Sequence, residues 1–581
     1  MKRFLSVFSG LIKSSIITIR RFHGILIRAF KKIPKAILIM TKVEKIALTV
    51  LAIIAVALFI AKGIEIYHQN TKVQPVVGGS LIFGSTQEPV NLNPLFVQND
   101  SDRAITNLVF LPLVKISPNG KMEKVLIEKH SASKDYKEFT VSLKSGLKWQ
   151  DLKPITIEDV IYTFSVIKSP EYNGIYKDIF KNISFEEVDD KTIKFILPAP
   201  YKNFMSALDI KILPSHLLSG KAISELASDS FSKKPIGNGP YLIRKSNLTG
   251  ASKFVTLEYF KDCIVKTKIK KIEFKFEKTN ENIYFDLSKG RVNSLINIIN
   301  DKSKELKKNS DNQIITNRLL QYNVLHLNPE NALLNNLSVR KAIKYAINKS
   351  EIAEKVFNKQ AIIATSAIAS GVYAHRSYDD IYDVATSKSI LSNLGWSLNS
   401  TGIFEKDGEI LQFNLTCPDT ENFKETADLI KNQLKTVGIK ANVQIIDPAK
   451  FQTEILPKRN YDILLIGETL GNDLDLYPYW HSSQTNENGL NLSSYKNEEL
   501  DKLLDEVRIE TDLTKKKDLY FKIQDIIHDD IPAVFLTQPV DEFLVPSNVK
   551  NIKSYAIAEG SDFFYYIDEW YIKLGRGPKG N

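Results

Sequence analysis

The sequence predicts an α/β protein of two lobes carried behind one membrane-spanning helix. Three observations predict it. The apolar run IALTVLAIIAVALFIAKGIEI (46–66) has the length of a helix that crosses the hydrocarbon core. Much of 80–320 alternates short strands with turns, whereas from about 330 amphipathic helices interleave with strands. The C-terminal AVFLTQ, DEFLV and FFYYIDEWYIKL return to strand character. The last segment should therefore close back onto the first lobe, which makes the second lobe an insertion with two crossings.

The N-terminal region accounts for most of the charge. The 581-residue chain carries a formal +11, yet residues 1–45 hold eleven Lys or Arg against the single acid Glu44. That head is +10, which leaves +1 for the remainder and gives no footprint for nucleic acid. The basic residues before 46–66 instead keep that side in the cytoplasm, so residues 67–581 should lie outside. Lys62-Gly-Ile-Glu-Ile-Tyr67 is a poor cleavage site, so the helix is expected to remain as an anchor. Within 4–40, apolar blocks alternate with Lys and Arg. This fits either a segment lying on the inner leaflet or a basic tail that only sets orientation.

Residues 67–77 read as a linker, followed by a strand at SLIFGS (80–85). FTVSL (139–143) places Phe139, Val141 and Leu143 on one face, and TIKFIL (192–197) and KIEFKF (271–276) are further strands. In LKWQDLKPITIEDV, Trp149 and Pro154 pin a turn, and Thr156 with Asp159 forms a variant of the capping box. PIGNGPYLI (235–243) reads as a rigid turn before a strand. Ser338 is expected to cap a helix whose Val339, Ala342, Ile343, Ala346 and Ile347 share a face, and Ser350 to start another. Residues 422–439 form a helix stopped at Gly438. ANVQIID (441–447) and YDILLIG (461–467) follow as strands, and 497–530 is helical.

The motifs of catalysis are missing. The sequence has no HExxH, Walker loop, GxSxG or CxxC, and none of its eight histidines stands four residues from another. Cys263 and Cys417 are the only cysteines, too few for a disulfide framework, and none directly follows the apolar run to take a lipid. The stretch GETLGNDLDLYPYWHSSQ (467–484) invites a calcium reading, with Asp473 and Asp475 at loop positions 1 and 3. Pro478 stands where the turn glycine belongs and Gln484 where the bidentate Glu belongs, so the reading fails. Neither an enzyme nor a cofactor is expected.

Several blocks in order carry a resemblance. They are GGSLIFGSTQEPVNLNPLF (78–96), LVFLPLVKISPNGK (108–121), TVSLKSGLKWQDLKPITIEDVIYTF (140–164), ILPSHLL (212–218), PIGNGPYLI (235–243), LSVRKAIKYAINKSEI (337–352) and IPAVFL (531–536). Together they resemble the extracellular solute-binding proteins of family 5, which serve peptide and nickel ABC importers. Where the family has Asp-Gly after Trp-x, this chain has Asp151-Leu152.

The resemblance implies a two-lobed periplasmic-binding-protein-like fold of type II, in the large peptide-binding class. On that scheme 1–45 is cytoplasmic, 46–66 the anchor and 67–77 the linker. Lobe I is 78–324 with its return segment 521–577, and lobe II is 325–520. The implied function is capture of peptides, or a similar small solute, in the cleft, with delivery to an ABC permease and its ATPase. The chain would act as a monomer at the outer face of the cytoplasmic membrane. An anchored sensing receptor or scaffold is the other reading.

Site residues follow from the same resemblance. The loop 96–102 should meet ligand through Val97, Gln98, Asn99 and Asp100, and the strand 321–328 should border the cleft with Gln321 and Tyr322. Lobe II should supply Gly471, Asp473, Asp475, Tyr477 and Trp480. Peptide-binding members hold the ligand's α-ammonium with an aspartate near the position of Gly471, which makes Asp473 or Asp475 the expected partner.

Overall fold

The computed structural model describes residues 40–578 apart from 118, 119, 251, 297, 299–301, 359, 472, 473 and 511. The basic head up to residue 39 and Asp473 lie outside the described residues. The chain divides into two compact units, one of 1–75 with 574–581 and one of 76–573.

In the first unit, helix Lys42–Asn70 starts at a capping box. Thr41 accepts the Glu44 amide, while Glu44 Oε2 takes the Thr41 amide at 2.8 Å. None of its residues is buried, and among the described residues it is the one helix long and apolar enough to cross a membrane. Strand Thr71–Val76 follows directly and pairs with Lys573–Pro578. The segment expected as a linker is thus helix up to Asn70 and strand beyond it.

The second unit is organised by one large mixed sheet. On one side, Lys440–Ile446, Gln412–Pro418, Ile463–Thr469 and Gln321–Leu327 lie in that order. On the other, Ser294–Leu295, Gly78–Ser85, Ile269–Phe276, Lys253–Tyr259 and Tyr241–Asn247 continue outward. The fourteen-residue strand Ala533–Pro546 joins the two sides. Its first part pairs with Gln321–Leu327 (Leu325 opposite Val534), and its second with Asn312–Leu319 (Ile314 opposite Leu544). AVFLTQ and DEFLV are therefore one continuous strand. Two segments, around Leu320 and around Gln538, pass from one side to the other, and Gln538 Nε2 donates to Leu319 O at 2.8 Å between them.

Packing follows the same division. Phe83, Phe274, Phe543 and Phe564 share one core. Leu325, Ile343, Ile430, Leu465 and Val534 form a second, and Tyr322, Trp480, Leu504, Tyr520 and Phe535 a third beside it. A separate four-stranded sheet holds Glu138–Leu143, with Phe139, Val141 and Leu143 all buried as their alternation demands.

Most local readings hold. Thr156 and Asp159 form the expected box, and Asp159 also accepts the buried Trp149 Nε1 at 3.0 Å. Helix Glu421–Thr436 ends before Gly438, whose φ of +85° favours glycine. Others shift. Asn336 caps helix Leu337–Ala346, taking the Ser338 amide at 2.9 Å, so Ser338 is inside the helix. Asn348 likewise caps Lys349–Lys355 ahead of Ser350. Asparagine caps as well as serine does, and here it lies nearer the start. The segment FFYYIDEW is not a strand: Glu559 and Asp562 form a capping box that winds Gly560–Phe564 into a 3₁₀ turn.

Candidate ligand-binding site

The expected site residues fall into separate surroundings. In 96–102 the loop is fixed by Asp102, which is sealed from water. Its carboxylate accepts the amides of Val90 (2.6 Å), Asn91 (3.0 Å) and Gln98 (2.8 Å). Asn99 caps helix Asp100–Val109 by accepting the Asp102 amide at 2.9 Å, and its Nδ2 donates to Glu88 O. Asn99 and the backbone amide of Gln98 are thus engaged in holding the loop, and Val97 faces a cavity of about 280 Å³. Asp100 faces a different pocket, beside Asp541.

Gln321 lines a third pocket with Asn323, Phe423 and Asp541. Its neighbour Tyr322 points the other way, as alternation along a strand requires, and is wholly buried against Phe535.

In the stretch 467–484, strand Ile463–Thr469 is prolonged by Leu470, whose amide reaches Leu320 O at 2.6 Å. The chain then turns at Leu474, with φ +54° and its carbonyl held by the Tyr520 hydroxyl. Asp475 Oδ1 accepts the Tyr477 amide at 3.1 Å, and Oδ2 lies 3.3 Å from Arg508 Nε. The Tyr477 ring is stacked on His481 at 4.1 Å, with the Arg508 guanidinium over it at 4.4 Å. Trp480 is wholly buried beside His326 and Phe535.

Beneath this loop lies a buried polar group. His326 Nε2 is 2.8 Å from Glu468 Oε1, and its Nδ1 is 2.6 Å from Ser493 Oγ. Ser493 donates to Pro532 O, so this Ser, His and Glu arrangement is closed upon itself and holds no exposed nucleophile.

Gly471 and Leu474 reach a cavity of about 260 Å³ built from both ends of the unit. Met122, His130 and Met205 line it from one side, Tyr373 and Leu513 from the other. Burial pushes the Tyr373 hydroxyl up to about 12, and burial with Lys124 lowers the His130 pKa, so both are neutral at pH 7. Ile116 borders this cavity and the one beside Val97, so the two adjoin.

A cavity of mixed apolar and polar walls, with Lys202, Glu510 and Lys516 at its border and a glycine edge, suits a flexible chain carrying side chains. The residues 121–489 match the profile of bacterial extracellular solute-binding proteins, family 5 (middle region). The chain belongs to this family. As a family 5 protein it is a solute-binding component of the ABC-importer type and not an enzyme. It is 27% identical over 549 residues to the oligopeptide-binding protein AppA of Bacillus subtilis, covering 91% of this chain and 99% of the relative. The structure of that AppA with a nonapeptide superposes with a TM-score of 0.63 at 26% identity, over 86% of this chain and all of the other. Campylobacter jejuni NikZ with Ni(L-His) gives 0.62 at 25% identity, over 85% and 99%. HbpA2 of Haemophilus parasuis gives 0.74 at 20% identity, over 85% and 100%, a likeness of fold. These likenesses carry the type II two-lobed architecture expected from the sequence.

The charged residues of the first cavity went unread in the sequence. Arg103, Lys115, Asp209, Lys211, Glu559 and Asp562 come from distant segments and meet only in the fold. No spacing rule could have found them.

Proposed function

We propose that this family 5 protein captures short peptides between its two lobes and passes them to an ABC permease and its ATPase. The observation that carries the reading is the cavity at Gly471, lined from 116–206 on one side and from 372–516 on the other. Its walls combine Met122, Met205, Leu320, Tyr373 and Leu513 with the charged Lys202, Glu510 and Lys516, a mixed surface that accepts side chains of varied chemistry. AppA, a relative over nearly the whole chain, is an oligopeptide-binding protein and was solved with a nonapeptide. That likeness favours peptides over nickel chelates.

The lobes proposed are 78–324 with a C-terminal return, and 325 onward as lobe II. We place the return within the long strand near Gln538, later than residue 521, because Leu519, Ile523, Ile527 and Phe535 pack beside Trp480. Closure would bend the chain near Leu320 and Gln538. Asp473 is proposed to pair with the ligand ammonium, because Asp475 already holds Arg508 and the Tyr477 amide. Tyr477, its ring already stacked on His481 and covered by Arg508, is proposed to meet ligand at the cleft rim through its ring edge. Tyr322 and Trp480, being wholly buried, would support this wall from behind. Helix Lys42–Asn70 is proposed to anchor the protein as a monomer in the cytoplasmic membrane, with the basic head inside and the binding unit outside.

The test is mass spectrometry of what the full chain, purified in mild detergent, releases on denaturation. A mixture of short peptides supports the reading. A single tightly held non-peptide contradicts it.

A further inference from the structure

Two contacts cross the cavity beside Gly471, each joining a residue of 116–206 to one of 372–516. One is apolar: a Cβ on Gly120 would stand 3.1 Å from Cε1 of the Tyr373 ring. The other is polar: Lys202 Nζ donates to the carbonyl oxygen of Ile509. Lys202 stands on a firm base. The Tyr201 amide donates to Tyr136 O at 3.1 Å, and Phe204 is buried in the core that holds Phe83 and Phe274. The Lys202 ammonium passes 5.2 Å from the centre of the Tyr136 ring.

The acceptor is equally fixed. Ile509 ends helix Glu498–Ile509, whose Leu500, Leu504 and Val507 are buried in the core around Trp480. The last carbonyls of a helix have no partner within it, and they carry the negative end of the helix dipole. The Glu510 amide takes Glu506 O at 3.1 Å, and Lys202 supplies a cation to the carbonyl at the very end. Arg508, the cation of the last turn itself, is turned toward Asp475 and Tyr477. A lysine held by a neutral carbonyl at an exposed helix end is a weak link, worth about two- to fivefold in an equilibrium. A link of that strength breaks and re-forms readily.

We propose that Lys202 is a strap across the cavity: its bond to the Ile509 carbonyl favours the closed arrangement of the two lobes before a ligand adds contacts of its own. The proposal rests on the two-lobe reading, with closure about Leu320 and Gln538. A ligand that needs the closed arrangement binds more weakly in proportion to how seldom that arrangement is populated. Loss of the strap therefore weakens every ligand by the same factor, whatever its sequence. That uniform loss separates a strap from a residue that reads the ligand's side chains.

The experiment measures the distance between nitroxide labels at Glu187→Cys, on strand Ser184–Asp189, and Asn432→Cys, on helix Glu421–Thr436. Both positions are exposed, and the native Cys263 and Cys417 are buried. Pulsed electron paramagnetic resonance is applied to the ligand-stripped full chain in detergent, with and without a pentapeptide library of free C-termini. The labelled wild type is compared with Lys202→Met and Lys202→Arg. Without peptide, the ratio of closed to open should fall about two- to fivefold in Lys202→Met. Lys202→Arg, which still donates to the carbonyl, should restore it. Peptide should close all three, with Lys202→Met needing more of the library by the same factor. An unchanged ratio in Lys202→Met overturns the strap, and lobe closure stands if peptide still changes the distance. A single distance that neither peptide nor substitution changes contradicts lobe closure and the strap with it. A lowered melting temperature of Lys202→Met with the ratio intact would make Lys202 a packing contact and overturn the proposal.

Discussion

Arg508 Nε lies 3.3 Å from the Asp475 carboxylate, and the same guanidinium covers the Tyr477 ring at 4.4 Å. Helix Glu498–Ile509 thereby fastens the loop that follows strand Ile463–Thr469. An aspartate committed to an arginine and a backbone amide is poorly placed to bind an external ammonium as well. The two neighbouring aspartates should therefore behave differently. Asp475→Asn should lower stability by about 1 kcal/mol in chemical denaturation, since the pair is partly exposed, and leave peptide affinity within a factor of two or three. Asp473→Asn should weaken peptide binding by about 1.5–3 kcal/mol in calorimetry, with little change in stability.

Gly237 and Gly239 are required by close approach. A Cβ on Gly237 would stand 2.0 Å from Val109 O, and one on Gly239 2.6 Å from the Val109 carbonyl carbon. The turn they form is fixed from the other side by Asn238, which accepts the Leu111 amide at 2.7 Å. Gly237→Ala should cost more than about 2 kcal/mol or prevent folding. Gly220→Ala, with nothing within 4 Å, should change stability by less than about 0.5 kcal/mol. Thermal melts of the two variants compare them directly.

Leu152 has a φ of +71°, in the left-handed region that favours glycine. The side chain is 56% exposed, so little packing offsets the left-handed backbone. Leu152→Gly should stabilise the protein by about 1 kcal/mol, read as a raised denaturation midpoint. A lowered midpoint would show that the leucine contributes packing that outweighs its strain.

Burial, with Asp100 nearby, pushes the Asp541 carboxyl up to about 6. Its folded pKa thus stands above that of the unfolded chain, and the folded state binds the proton better. Its contribution to stability is therefore greatest below about pH 4 and falls as pH rises through about 6, by an amount on the order of 2 kcal/mol. Asp541→Asn should remove that fall and leave the variant more stable than the wild type at pH 7. Denaturation midpoints at pH 4.5 and pH 7 provide the comparison.

What could be read in the sequence was local. Thr156 and Asp159 sit three residues apart, so their capping box is visible without knowing the fold. The alternation of Phe139, Val141 and Leu143 records which face is buried. Misreadings arose where two residues compete for one role, as Asn336 and Ser338 do at a helix start. Aromatic FFYY resembles a strand by propensity, but the Glu559 and Asp562 cap overrides it. Tyr322 and Trp480 were expected at the ligand, and their full burial was not visible because it depends on strands hundreds of residues away. Lys202 and Ile509 lie 307 positions apart, and only the fold brings them together.

The central claim is peptide capture in the cleft beside Gly471. It is tested most directly by titration calorimetry of the ligand-stripped full chain in detergent with the free-acid pentapeptide library. Saturable binding near one peptide per chain is the predicted result. The absence of any heat or saturation across the library, from protein whose melting curve shows it folded, would contradict the account.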